Sequence, residues 1–319
     1  DKLFVFIDEI QYLQDPSSFL KLLVDHYPQI KLIVSGSSSF NIKSKFKDSL
    51  AGRTVDFEIF NLSFEEFLIF KGYHFERGDV YTQKKKEELI LLYEEFVLHG
   101  GYPRVALADK MAIKEKYLQQ IIDTYVKKDI RDLAMIKDVN KFNRLLEALA
   151  SQSGSMLNIA ELANTLRIAK QTIESYLYLL EETYIIRLVR PYSGNIRSEL
   201  SKMPKVFFYD TGMMQMLWLK ELPKEILGQV FETSIFAELV KRYGAQKVGY
   251  WRTLDKKEID FIIIRDRSTP LPLEVKLSFP KSHSSAMKYF MKKYNLEEYR
   301  VAALRGDPKN KSFIYPWQI

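Results

Sequence analysis

The apolar run LFVFI at residues 3–7, which ends at two adjacent acids, most constrains how this chain can fold. A continuous apolar run of this length is typical of a parallel strand buried on both faces. Asp15 then offers an N-cap and Pro16 a first helical position, and the apolar residues that follow recur at helical spacing. A second short apolar strand lies within KLIVSGSSS, residues 31–39. This strand–helix–strand order predicts a βαβ crossover and therefore a parallel sheet.

The two acids, Asp8 and Glu9, follow the first strand directly. Ligands of open α/β sheets bind outside the carboxyl ends of the strands, and a nucleotide site needs a carboxylate for Mg²⁺ and often another to orient the attacking water. The hydroxyls of Ser35 and residues 37–39 follow the second strand at the same edge. These residues also fit a strand that ends in exposed acids beside a Ser/Gly turn, so both interpretations stay open.

The composition narrows the class of protein. Hydrophobic residues make up 46% and charged residues 28% of the 319, which is typical of a globular chain. No apolar run approaches the roughly 20 residues of a membrane span and no signal peptide is visible, so we expect no membrane contact. The absence of cysteine excludes disulfides and zinc–thiolate sites and suits the cytoplasm. The net charge of +7 permits a nucleic-acid partner without establishing one.

Further elements follow along the chain. Residues 53–62 alternate in polarity and predict a third strand, and Ser63 with Glu66 forms a capping box at the start of the next helix. Residues 84–152 are mostly helical by period. The chain has no initiator Met, and we expect it to be a fragment of a longer protein.

Residues 156–196 predict a helix-turn-helix followed by a wing strand. One small core is expected from six apolar residues: Ile159, Leu162, Ala163, Ile173, Leu177 and Leu180. The second helix begins with Lys170, Gln171 and Thr172, which suit a DNA-reading helix, but several glutamates later in that helix do not favour phosphate contact. Direct DNA contact and a packing or lid role both stay open.

The C-terminal part contains a candidate metal site. Glu232 lies in a predicted helix, Asp260 in the apolar strand EIDFIII, and Glu274 and Lys276 alternate on the next strand, so that both face one side. Converging carboxylates can hold Mg²⁺, and a lysine beside them can orient water or stabilise charge on a phosphodiester. This order resembles the PD-(D/E)xK nuclease superfamily, whose members also include inactive binding modules. A solvent-facing strand is the alternative, although charges inside such apolar runs cost free energy unless paired.

Several motifs together resemble a family of AAA-superfamily ATPases of bacteria and archaea that carry a C-terminal domain of unknown function. The motifs are LFVFIDEIQYL, KLIVSGSSS, LAGRTVDFEIFNLSFEEF, HGGYPRV, KVFFYDTGM and YWRTLDKKEIDFII. The resemblance implies that Asp8 coordinates Mg²⁺ and that Glu9 is the general base. It also implies that Ser37 occupies a sensor position and that Arg53 is a phosphate-sensing or trans-acting arginine.

One part of that family's pattern is missing. A P-loop has the form G-x-x-x-x-G-K-[ST], and none of the 13 glycines in this chain is followed by lysine. In the resembled family the P-loop precedes the strand that ends in the two acids. We therefore expect this chain to bind ATP weakly or not at all, and the intact protein to bind it.

The interpretation we adopt is an α/β chain of four units. The predicted order is a partial parallel-sheet P-loop-type ATPase core (1–75), a helical segment (76–150), a winged helix (151–200) and a restriction-endonuclease-like α/β domain (201–319). The expected cofactors are ATP and Mg²⁺, the expected partner is DNA, and a homo-oligomer is an open expectation. The expected function is ATP hydrolysis coupled to a nuclease-like domain that acts on DNA. The alternatives are a nucleotide-regulated DNA-binding or scaffold protein with a degenerate nuclease-like site, or a metal-dependent nuclease with a purely structural ATPase part.

Overall fold

The computed structural model of the chain describes residues 2–36, 54–76, 82–130, 136, 138–192, 203–265 and 269–319. Within these segments, nine strands form three sheets and helices pack around them. This mixture confirms the expected α/β class. None of the described helices has the length and apolar character needed to cross a membrane.

The N-terminal unit is the predicted crossover. Strands β1 (Leu3–Ile7) and β2 (Ile30–Val34) pair in parallel, and helix α1 (Pro16–His26) joins them. Asp15 caps α1 by accepting a hydrogen bond from the backbone N–H of Ser18, and proline lies in the first turn. The local signals in the sequence were therefore sufficient to predict the elements of this unit and their order.

Strand β1 is less buried than predicted. Phe4 and Phe6 expose 58% and 72% of their surface, and the core of this unit is limited to Ile10, Leu20 and their immediate neighbours. The prediction that β1 is buried on both faces is therefore wrong for the described residues. An apolar sequence favours burial, but burial on both faces requires elements on each side, and the described sheet here has two strands and one crossover helix.

The predicted third strand is also absent. The described residues 54–62 form no strand, and Val55, Phe57 and Ile59 expose 78%, 85% and 93% of their surface. A strand satisfies its backbone hydrogen bonds through a neighbouring strand, and none of the described strands pairs with this segment. The alternation is present in the sequence, but none of the strands in the described part of the chain provides the partner that a strand needs.

The middle of the chain is helical, as predicted. Its helices are α2 (Phe64–Phe70), α3 (Gln83–His99), α4 (Pro103–Ala106), α5 (Met111–Ile121), which continues as wider π-helical turns over Ile122–Asp129, and α6 (Val139–Ser151). The capping box of α2 is formed: the Ser63 hydroxyl accepts from the backbone N–H of Glu66, and the Glu66 carboxylate accepts from that of Ser63 at 2.8 Å. Helix α3 ends at Gly100, whose φ of +81° lies in the region that favours glycine.

A helix-turn-helix follows, also as predicted. Helices α7 (Ile159–Leu166) and α8 (Lys170–Glu182) lead into strand β3 (Ile186–Val189), which pairs antiparallel with β4 (Lys205–Phe208). Of the six residues of the expected small core, Leu162, Ile173, Leu177 and Leu180 are buried and Ile159 and Ala163 partly buried, but they belong to one large apolar core rather than to a separate small one. All four residues of β4 are buried.

The C-terminal part is a five-stranded sheet with helices against it. Its elements are α9 (Thr211–Leu219), α10 (Gly228–Tyr243), β5 (Val248–Arg252), β6 (Glu258–Ile263), β7 (Leu271–Ser278), α11 (Ser285–Tyr294), β8 (Arg300–Arg305) and β9 (Phe313–Ile314). The strands lie in the order β5-β6-β7-β8-β9; the first two pairings are antiparallel and the last two parallel. This matches the predicted run of helix, three strands, helix and strand.

One apolar core connects the middle and C-terminal parts. It extends from Leu62 to Ile319. Phe207 of β4 stacks on Phe236 of α10 with ring centroids 4.7 Å apart and lies 5.3 Å from the ring of Phe261 in β6. Packing is therefore continuous across the predicted boundaries near residues 150 and 200, and the four-unit division stays a prediction.

Candidate functional sites

The carboxyl ends of β1 and β2 bring Asp8 and Ser35 together. Because the strands are parallel, their ends meet at one edge, and the Ser35 hydroxyl donates a hydrogen bond to the Asp8 carboxylate. The same carboxylate oxygen accepts the backbone N–H of Glu9 at 3.0 Å. Asp8, Glu9 and Ser35 are exposed, so a ligand can reach them. The convergence predicted from the two strand ends is thus present for this pair.

Glu9 adopts an unusual backbone conformation. Its φ of +52° and ψ of +44° place it in the left-handed region, which costs a residue with a side chain roughly 1–2 kcal/mol. Strained residues of this kind cluster at functional sites. The conformation sets the direction of the chain directly after β1. It is an indication of a functional site that does not depend on the sequence pattern of Asp8 and Glu9.

Two other predicted nucleotide-site residues, Ser37 and Arg53, lie outside the described residues. The donor set at the strand edge fits part of a magnesium site, because Mg²⁺ prefers oxygen ligands and is commonly held by one or two carboxylates together with phosphate oxygens and water. Asp8 supplies such an oxygen, and Ser35 fixes its orientation. The backbone cradle for the phosphates has no counterpart in the printed sequence.

In the C-terminal part, the predicted metal ligand Glu232 is paired with a lysine. The ammonium group of Lys205 in β4 lies 3.1 Å from Oε1 of Glu232 and 2.6 Å from Oε1 of Glu258. Burial raises the pKa of Glu232 to about 7, while the charge of Lys205 opposes the rise and that of Asp260 adds to it. The carboxylate therefore lies in a largely desolvated site whose nearest cation is a protein side chain.

Asp260 and Lys276 do come together. Nζ of Lys276 lies 3.6 Å from Oδ2 of Asp260, and the same oxygen accepts the backbone N–H of Val275 at 2.7 Å. At the end of the β6–β7 ladder nearest Asp260, the last described pair is Phe261 with Leu273. The Asp260 side chain therefore satisfies the backbone of β7 just beyond the point where the regular ladder ends.

Glu274 has a separate role in the structure. It is 3% exposed, and its carboxylate accepts a hydrogen bond from the hydroxyl of Ser284. Ser284 is the N-cap of α11 and accepts the backbone N–H of Met287 at 3.0 Å. Glu274 thus connects β7 to the start of α11.

The structure does not bring Glu232, Asp260 and Glu274 together as three ligands of one metal ion. Among the described residues, no three histidine, cysteine, aspartate or glutamate side chains converge in a way that could hold a metal ion. The sequence analysis also missed Lys205 and Glu258. A signal for Glu258 was available, since Glu258 and Asp260 are two residues apart on one strand and so share a face.

A second buried junction joins three motifs that the sequence analysis had noted separately. The carboxylate of Asp210 caps α9 by accepting the backbone N–H of Met213 at 2.7 Å, and it accepts the N–H of Gly101 at 2.8 Å. It also accepts a hydrogen bond from the side-chain amide of Asn61. Burial raises the pKa of Asp210, and these hydrogen bonds oppose the rise.

Glycines allow the backbones to approach at this junction. A Cβ on Gly101 would lie 2.4 Å from the carbonyl oxygen of Leu62, and one on Gly212 would lie 2.1 Å from that of His99. Such contacts are far inside van der Waals distance, so no side chain fits at either position without movement of the backbone. The segments around residues 61, 100 and 210 are therefore fixed to one another at this point.

A third charged cluster surrounds Glu95 on α3. Its Oε1 lies 2.9 Å from Nζ of Lys71, 3.0 Å from Nζ of Lys114 and 3.8 Å from Nδ1 of His99. Burial disfavours the ionised form, but the contacts with His99, Lys71 and Lys114 outweigh it and hold the pKa of Glu95 well below its usual range. Lys114 is 3% exposed and also donates to the carbonyl of Val105 at 3.0 Å.

Glu95→Gln should lower the free energy of unfolding by about 2 kcal/mol at neutral pH, because it leaves the buried ammonium of Lys114 without its carboxylate. The depressed pKa of Glu95 makes the stabilising effect present above the unfolded-state value near ~4.3 and lost as the pH falls below it. Urea unfolding at a series of pH values should show the two proteins converging in acid. Glu297→Gln, at an exposed position, is the matched control. A constant difference from neutral to acid pH would contradict this account.

Comparison with known proteins supports an AAA-type N-terminus. Residues 1–68 match the family model of an AAA domain, residues 90–224 that of a domain of unknown function (DUF8612), and residues 227–314 that of a second domain of unknown function (DUF4143). The AAA match at the N-terminus and the DUF4143 match at the C-terminus agree with the expected AAA-superfamily ATPase-like arrangement. An AAA domain indicates ATP binding, which is usually Mg²⁺-dependent.

The curated relatives are uncharacterized. One from Haemophilus influenzae is 29% identical over 287 residues, which cover 88% of this chain and 68% of the relative. One from Methanocaldococcus jannaschii is 27% identical over 266 residues, covering 81% and 58%. One from Mycobacterium tuberculosis is 25% identical over 292 residues, covering 89% and 61%. The chain thus spans roughly three fifths to two thirds of the length of these relatives.

Proposed function

We propose that this chain is part of an ATP-hydrolysing AAA-type protein, in which Asp8 holds the Mg²⁺ of bound ATP and Glu9 is the general base. The observation that carries the proposal is the hydrogen-bonded meeting of Asp8 and Ser35 at the carboxyl ends of two parallel strands. The left-handed conformation of Glu9 and the AAA domain match over residues 1–68 support it.

In this mechanism each residue has a defined task. Asp8 contributes one carboxylate oxygen, whose orientation the Ser35 hydroxyl maintains. Glu9 orients the attacking water and accepts its proton. Bound Mg²⁺ supplies positive charge that neutralises the phosphates. We also propose that Ser37 senses the γ-phosphate. Arg53 is proposed to contact phosphate within its own subunit or across a homo-oligomer interface.

We further propose that residues outside these 319 supply the phosphate cradle. The printed sequence contains no P-loop, and the curated relatives are longer than the matched region. Leu3, Phe4 and Phe6 of β1 are highly exposed, as are Val55, Phe57 and Ile59. Exposed apolar surfaces of this kind favour coverage by further structure, which suits a sheet that other strands complete.

Titration with a fluorescent ATP analogue in the presence of Mg²⁺ tests this proposal. The 319-residue chain should bind at least about 100-fold more weakly than the whole gene product, because backbone amides and a lysine around the phosphates supply much of the affinity in P-loop proteins. Equal, tight binding by the 319-residue chain would contradict the proposal. Failure of the whole gene product to bind would also contradict it.

The remaining units are proposed to transmit or use the nucleotide state. We interpret α7, α8 and the β3–β4 ribbon as a winged helix and the five-stranded sheet as a nuclease-like fold, with DNA as the partner. At the start of α8, however, Nζ of Lys170 lies 3.7 Å from Glu174, which reduces the positive charge available for phosphate. The environment of Lys205 favours the alternative of a C-terminal module that does not cleave.

A further inference from the structure

We propose that the ammonium group of Lys205 takes the place of a divalent cation among the carboxylates of the C-terminal sheet, so that this unit is a non-cleaving module. The inference deepens the proposed function, because it rests on the nuclease-like interpretation of this sheet. It is independent of Asp8 and Glu9, which lie in the N-terminal unit. The residues present do not fit the metal that a nuclease of this type would use, and that disagreement is the basis of the proposal.

The position of Lys205 is the first argument. Its ammonium group lies between Glu232 of α10 and Glu258 of β6, at 3.1 and 2.6 Å. A magnesium ion needs oxygen ligands at about 2.0–2.1 Å in near-octahedral geometry. Glu232 therefore already has the ammonium group of Lys205 as its counter-ion on the side that faces Glu258. As long as Lys205 keeps this position, a divalent cation has no room there.

Lys205 is also firmly held. Its side chain is 4% exposed, and β4 is paired with β3 along its four residues. The ammonium group lies 5.6 Å from the ring centre of Tyr250, within cation–π distance. Its release would require both the buried strand and the ion pairs to open.

The remaining carboxylates already have protein donors. Oδ2 of Asp260 accepts the N–H of Val275 and faces Lys276 at 3.6 Å. Glu274 accepts from Ser284. Each carboxylate that the sequence assigned to metal therefore serves a contact within the protein.

Protein cations already face three carboxylates of the cluster. Glu258 has a second cation in Arg252, whose Nη1 lies 2.8 Å away. Three cations, on Lys205, Arg252 and Lys276, thus face the three carboxylates of Glu232, Glu258 and Asp260. In metal-dependent catalysis, by contrast, the charge of the ion is what stabilises the reacting phosphate.

Mn²⁺ binding tests the proposal. Calorimetric titration should show the same weak or absent Mn²⁺ binding for the wild-type chain and for Glu232→Gln. Lys205→Met keeps the length of the side chain and removes the charge, so it should lower the Tm by more than about 5 °C and leave carboxylates that accept a cation. About 5 mM Mn²⁺ should then raise the Tm of this variant by several degrees, since a ligand of the folded state stabilises it. The Lys205→Met/Glu232→Gln double variant should lose that rise.

Controls and a cleavage assay separate the outcomes. Lys247→Met, at an exposed lysine just before β5, should behave like the wild type. Nicking of supercoiled plasmid with Mn²⁺ should be the same for the wild type, Glu232→Gln and Asp260→Asn.

The proposal is overturned if wild-type binding or nicking is lost in Glu232→Gln, or if folded Lys205→Met gains no response to Mn²⁺. Should Lys205→Met not fold, the comparison of wild type with Glu232→Gln decides alone. Loss of ATP binding by the whole protein would affect the proposed ATPase and leave these results unchanged.

Discussion

Glu9→Gln in the whole protein is expected to lower the rate of ATP hydrolysis by about 100-fold or more, as the loss of a general base commonly does. Glutamine has the size of glutamate but cannot accept the proton of the attacking water. In the turn after β1, the Glu9 N–H donates to the Asp8 carboxylate, and the conservative replacement by glutamine keeps this backbone contact. Binding of ATP should therefore stay close to that of the wild type. Steady-state phosphate release and nucleotide titration measure the two effects separately.

Two comparison variants make this result specific. Asp25→Asn removes an exposed carboxylate from α1 of the same unit, away from the strand edge, and should leave hydrolysis unchanged. Asp8→Asn should reduce hydrolysis and also weaken Mg²⁺-dependent binding, because it removes a metal ligand. If Glu9→Gln hydrolyses ATP at nearly the wild-type rate, Glu9 is not the base. If Asp25→Asn loses as much activity as Glu9→Gln, the effect is not local to the strand edge.

Asp210→Ala is expected to be the most destabilising of the substitutions considered, at about 3–4 kcal/mol. The change leaves the N–H groups of Gly101 and Met213 and the amide of Asn61 without their acceptor. Each buried donor that loses its partner costs roughly 1–3 kcal/mol. Burial, which raises the pKa of Asp210, also favours the neutral alanine and lowers the net cost. Urea unfolding measured at neutral pH gives the difference.

Asp138→Ala is the matched control for Asp210. Asp138 is likewise a helix N-cap, accepting the N–H of Lys141 at 3.1 Å, but its side chain is 46% exposed. Loss of such a cap costs about 1 kcal/mol. The difference between the two variants therefore isolates the contribution of the contacts between segments. Equal losses would show that Asp210 acts as an ordinary cap and that the junction adds nothing.

Local features of the fold were predictable because they depend on neighbours in the sequence. The N-cap at Asp15, the capping box of Ser63 and Glu66 and the glycine end of α3 involve residues within a few positions of one another. The buried faces of α7 and α8 follow from helical spacing. In the candidate site, Asp8 and Ser35 could be brought together in the same way, because parallel strands of a crossover end at one edge.

Burial and hydrogen-bonded partners could not be predicted in this way. Residues 54–62 alternate like a strand, yet Phe57 and Ile59 are exposed because no described strand pairs with them. Phe4 and Phe6 were expected inside a sheet and lie at the surface. A hydrophobic pattern in the sequence indicates which residues favour burial. The elements that would cover these residues lie in distant parts of the chain, so the pattern does not show whether they are buried.

The sequence by itself determined the order of the elements, their caps and the acids at the end of β1, since each depends on short-range spacing. The tertiary structure alone decided what the charged residues of the C-terminal part do. Glu232 and Asp260 are in the predicted elements, but β4 brings Lys205 to Glu232 from 27 residues away in the chain. The distance from a carboxylate to its nearest cation depends on how distant segments pack. Whether this group of acids holds a metal or an ammonium is therefore fixed by long-range contacts.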